Sequence, residues 1–105
     1  MSKQGNIINL DEMINRRMPI QLNGKTYHLK ELTMRQFRRM VEIEGMENTK
    51  GAAAQMDFLA EVLSNNQEGV AFTVDALLDL QRTAIVRLWT ALIARTLEVA
   101  NDPNS

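Results

Sequence analysis

The sequence predicts an α+β fold that is mainly helical: one β-hairpin near the N-terminus followed by a small bundle of about four helices. Three observations carry this. Asn23-Gly24 sits between two segments of alternating apolar residues. Thr33 is followed three residues later by Gln36, directly before an apolar helical pattern. Residues 82–100 keep one helical period with no glycine or proline.

Residues 1–9 are polar, with Gly5 and two asparagines, and residues 1–17 are expected to form a mobile segment. They lack the long apolar run of a secretory signal. Within them, Leu10 to Arg17 has the spacing of a short helical turn with Leu10, Met13 and Ile14 on one side. That turn must end near Met18, because Pro19 disfavours helical geometry in the residue before it. A single α-rich domain is expected over 18–100, and 101–105 reads as a polar tail containing Pro103.

The hairpin is expected over 19–29. Asn-Gly supplies the two positive-φ residues of a type I′ turn, which sets Leu22 opposite Lys25 and Ile20 opposite Tyr27. Ile20, Leu22 and Tyr27 then share one face and need a helix to cover it, since two strands alone are marginal.

A helix is expected over 33–45. Thr33 and Gln36 form a capping box, and Leu32 with Phe37 has the spacing of a hydrophobic staple. Met34, Phe37, Met40 and Val41 follow one side, and Arg35, Arg38 and Arg39 another. Gly45 marks the stop. Residues 46–51 read as a connector, and 52–63 as a second helix with Met56, Leu59, Ala60 and Leu63 in register. Asn65-Asn66 breaks it. Thr73, with Asp75 in the following turn, opens a third helix over 74–80, with Phe72 placed to staple to Leu77. The fourth covers 82–99. Its apolar residues, among them Ile85, Val86, Leu88, Trp89, Leu92, Ile93, Leu97 and Val99, span about half the circumference. That is wider than a core-facing stripe needs, so one side is expected to serve a partner.

Composition excludes much chemistry. The 105 residues contain no cysteine and one histidine, so thiolate metal sites, disulfides and cysteine nucleophiles are ruled out. His28 falls on the polar side of the hairpin, where it reads as a surface residue. No phosphate-binding glycine loop and no paired metal-carboxylate spacing occurs. The expectation is a protein without enzymatic activity, cofactor or metal. The longest apolar-rich stretch, 84–94, is interrupted by Arg87 and is too short for a bilayer core of about 30 Å, so no membrane partner is expected.

The net charge of −1 hides a division. Residues 16–39 carry seven cations against one acid, and residues 40–105 four cations against ten acids. Such a split fits an anionic partner, complementarity within the chain, or head-to-tail contact between copies. Nucleic acid is the weaker choice: the remaining acids are many, and aromatics for stacking, such as Tyr27, are few near the basic segment. Six internal methionines fall between 13 and 56. They suit a deformable binding face, with Met34, Met40 and Met56 equally placed to fill a core. The expected partner surface is Met34, Phe37, Met40, Val41, Leu88, Trp89, Leu92 and Ile93. Arg35, Arg38 and Arg39 are expected to meet an acidic client or a neighbouring chain.

The segments "PIQLNGKTYHLKELT", "LTMRQFRRMVEIEG" and "FTVDALLDLQRTAIVRLWTALI", in that order over residues 18–98, resemble the tail assembly chaperones of long-tailed bacteriophages and prophages. The resemblance implies a non-catalytic protein of the host bacterial cytoplasm, absent from the mature virion. It would bind the tape measure protein, keep it soluble and help recruit the major tail protein during tube assembly. It also implies that a longer, frameshifted form can exist. A small regulatory nucleic-acid binder using the basic 16–39 segment and a structural head–tail component are the rival expectations.

Overall fold

The structure, a computed structural model, describes residues 7–14 and 16–101. Its elements run α1 (Leu10–Ile14), β1 (Arg17–Leu22), β2 (Lys25–Lys30), α2 (Met34–Glu44), α3 (Asn48–Ser64), α4 (Val74–Leu78) and α5 (Arg82–Asn101). The α+β, mainly helical class is therefore as the sequence predicts. Expectations for residues 1–6 and 102–105, and for the side chains of Met13, Ile14, Leu97 and Val99, lie outside the described residues.

The hairpin has the expected register, with Ile20 opposite Tyr27 and Leu22 opposite Lys25. Asn23 and Gly24 both take positive φ, 52° and 80°, the geometry that joins twisted strands with two residues. The strands are longer than expected, adding the pairs Arg17–Lys30 and Met18–Leu29. Met18 is thus a buried strand residue on the same face as Leu29, which is wholly buried. Pairing with β2, not the proline alone, decides where the N-terminal segment becomes regular.

Pro19 pairs with His28. His28 spends both backbone groups on the opposite side: its N–H donates to Glu68, and its carbonyl accepts from the Gln67 amide at 2.9 Å. Directly opposed antiparallel residues either bond each other or both face outward. Pro19 therefore faces outward, where its missing N–H takes nothing from the ladder.

The capping box of α2 is complete. Thr33 Oγ1 accepts from the Gln36 amide at 3.1 Å, and Gln36 Oε1 accepts from the Thr33 amide at 3.0 Å. Thr33 also accepts at its carbonyl from Phe37 at 2.9 Å, the first backbone bond of the helix. α3 starts at Asn48, inside the segment expected to be a connector, and runs through Gly51. The Gly51 amide donates to the Glu47 carbonyl at 2.7 Å, so the turn closes despite glycine's cost of about 1 kcal/mol relative to alanine. α4 is shorter than expected and stops at Leu78, with Asp79 as its cap.

The core joins the hairpin to α2, α3, α4 and α5 through Met18, Leu29, Met40, Ile43, Phe58, Leu59, Val62, Leu63, Leu77, Trp89 and Leu92. The Phe58 and Trp89 rings meet edge to face, centroids 5.7 Å apart, and Tyr27 and Phe72 do the same at 5.2 Å. Two polar links fasten α5. Trp89 Nε1 donates to Glu44 Oε2 at 3.0 Å, and Arg95 pairs with Glu31 at 3.1 Å.

Candidate partner-binding surfaces

The expected partner residues divide into two groups. Met40, Trp89 and Leu92 are core side chains, which corrects their assignment to a binding face. Each belongs to the buried cluster that also holds residues of α3 and the hairpin, and hydropathy alone does not distinguish such a position from an exposed one. Leu88 and Ile93 are half-buried and pack on the core.

Met34, Phe37 and Val41 remain on α2. Met34 is 72% and Val41 57% exposed. Phe37 is half-buried and stands apart from the core cluster. At positions i, i+3 and i+7 the three lie along one side of the helix. Met34 is thereby corrected from a possible core filler to a surface residue, whereas Met56 packs on the core.

Arg35, Arg38 and Arg39 are all exposed beside that strip. Arg39 pairs with Glu42 at 3.1 Å, an i,i+3 contact on the helix surface. Among the described residues, neither Arg35 nor Arg38 forms an ion pair. The other cations of the basic segment are scattered. Arg17 and Lys30 are paired at the open end of the hairpin, and Lys25 is at the turn. Five strand steps of about 3.4 Å separate Lys25 from Lys30, or roughly 17 Å, so these charges do not converge on one phosphate-sized site.

A second surface lies on α5, where one side is expected from the sequence to serve a partner and where Leu88 is among the expected residues, but its form as a groove against the hairpin is not foreshadowed there. β1 and α5 leave an open, largely apolar groove of about 360 Å³ between them. Ile20, Leu22, Leu80, Ile85, Leu88 and Ala91 line it, with Gln21 and Arg87 among the polar lining residues. Ile20 and Leu22 were recognisable as one apolar strand face. That α5 covers this face only in part depends on how the helix is set, which no local pattern reveals.

The cross-segment link at the histidine was also unforeseen. Residues 65–67 lie along the outer edge of β2: Leu29 bridges Asn66, and the Lys30 amide donates to the Asn65 carbonyl at 3.1 Å. Asn66 closes the loop, its side chain donating to the Leu63 and Val70 carbonyls and accepting from the Val70 amide. Glu68 then reaches His28. Hydrogen bonds from the His28 ring and backbone hold the Glu68 carboxyl below its ordinary value of 4.5. His28 remains part-exposed beside a single carboxylate, the geometry of a fastening.

Among the described residues, no group of three histidines or carboxylates is placed to hold a metal, and no helix is long and apolar enough to cross a membrane. Comparison with family models, curated proteins and solved structures finds no match.

Proposed function

We propose that this chain is a tail assembly chaperone of a long-tailed bacteriophage or prophage. It binds the tape measure protein, keeps it soluble, and helps recruit the major tail protein while the tail tube polymerises. It acts without catalysis in the host bacterial cytoplasm and leaves before the virion is mature.

The observation that carries this reading is the apolar strip of α2, with Met34 and Val41 exposed about the half-buried Phe37, and with Arg35 and Arg38 beside it in no ion pair among the described residues. A chain that holds another protein's amphipathic helix presents apolar anchors at helical spacing, with charge at the margin to set orientation. Methionine at the strip suits clients of irregular shape. The order of hairpin, capped helix and terminal helix set out above supports the same reading.

The test is co-expression with a fragment of a tape measure protein. A chaperone raises the fragment's soluble yield and co-purifies with it. Failure of both overturns the proposal. Tight nucleic-acid binding that weakens steeply with salt would replace it with the regulatory reading. Stoichiometric presence in purified particles would replace it with the structural one.

A further inference from the structure

We infer that the groove between β1 and α5 is the seat for the N-terminal arm, residues 7–12, of a second copy of this chain. The chain presents an apolar arm and an apolar groove, and among the described residues the arm's aliphatic side chains are exposed and the groove is open. Ile7, Ile8 and Leu10 are 68%, 76% and 62% exposed. They stand at the start of α1, which has no extensive packing partner among the described elements. Three large aliphatic side chains within four residues, left in water, are a strong incentive to association. The groove offers about 360 Å³ of mainly aliphatic surface, a fitting volume for such side chains.

Charge selects the same occupant. Arg87 lines the groove, is exposed, and forms no ion pair among the described residues. The arm carries Asp11 and Glu12 in the first turn of α1, directly after its apolar residues. Asn9 Oδ1 accepts from the Glu12 amide at 3.3 Å, which caps the turn and fixes the acids next to Leu10. An arm seated by its isoleucines and leucine thus brings an acid toward the cation at the groove. The contact joins two different surfaces of the same chain, so it builds a reciprocal pair or a head-to-tail series. It uses residues apart from the α2 strip and does not depend on the function proposed above.

The test uses sedimentation of the full chain over a concentration series, with three variants. Ile7→Asp/Ile8→Asp removes the arm's anchors without touching the core. Ala91→Glu fills the groove at an exposed position. Arg87→Glu reverses its charge. The parent is expected to associate. The arm variant and the Ala91→Glu variant are each expected to sediment as single copies with unchanged helical circular dichroism. Loss of each isoleucine weakens association about tenfold or more. An equimolar mixture of those two variants is expected to recover a two-copy species, since one supplies an intact groove and the other an intact arm. Arg87→Glu is expected to weaken association about two- to fivefold, and Glu12→Arg in the same chain to restore it. A parent that sediments as one copy throughout, an Ala91→Glu variant that associates like the parent, or a mixture that stays single-copy overturns the inference.

Discussion

Glu68 holds His28 twice, accepting from its backbone amide at 2.9 Å and lying 2.6 Å from its ring Nδ1. The ionised carboxylate can only accept, so Nδ1 is the donor. One side chain thereby adds to the backbone bonds of residues 65–67 in docking the 65–72 loop on the edge of β2. Glu68 has its pKa lowered, first by the His28 side-chain hydrogen bond and then by the backbone one. A carboxyl depressed in the folded state contributes stability above its unfolded value, and that contribution fades as pH falls through the folded one. Urea unfolding is therefore expected to show a loss of stability as pH drops below about 4.5. Glu68→Gln is expected to lower the midpoint at neutral pH and to flatten this acid slope. An unchanged slope in the variant would show that other carboxyls set it.

The turn depends on backbone sign. Gly24 has φ of +80° and open space around its missing Cβ, so Gly24→Ala meets no clash but must adopt a disfavoured conformation. The expected cost is about 1–2 kcal/mol, read as a lower chemical-denaturation midpoint with unchanged slope.

Trp89 is the chain's one tryptophan, and it reports directly on the core. Its fluorescence is expected to shift to the red on unfolding, as the ring leaves Phe58 for water. Trp89→Phe keeps an aromatic body but loses the indole bond to Glu44, at an expected cost of about 1 kcal/mol. Trp89→Ala also opens a cavity and is expected to cost about 3–5 kcal/mol, measured by circular dichroism in denaturant.

Binding and folding separate on α2. Met34→Asp with Val41→Asp is expected to leave the thermal midpoint within a few degrees of the parent, because both side chains already face water. On the function proposed above, the same variant is expected to raise the soluble yield of a co-expressed tape measure fragment much less than the parent does. Thr33→Ala makes the converse case: it breaks the capping box and is expected to cost about 1 kcal/mol of stability, with the apolar strip intact.

The local devices were legible because each is written within a few residues. Asn23-Gly24 determined the hairpin register, and Thr33 with Gln36 marked the start of α2. The start of α3 was less legible: Gly51 weakens the helical pattern, and the backbone bond from Gly51 to Glu47 outweighs it. The candidate binding face was legible only in part. Met34 and Met40 share a chemistry, yet one is in water and the other in the core, because α3 packs against only one side of α2. The long-range polar links had no sequence signal. His28 and Glu68 are 40 residues apart and Arg95 and Glu31 are 64 apart, so their partnership depends on tertiary placement.

The outward-facing Pro19 interrupts one margin of the hairpin by a missing donor, and the 65–67 segment occupies the other. Such a sheet has no continuous template for a further strand. Aggregates of the native chain are therefore expected to lack the ~4.7 Å cross-β repeat, and its assemblies to dissolve without passing through fibrils. Pro19→Thr would restore the donor, and with it the hazard of growth along that margin.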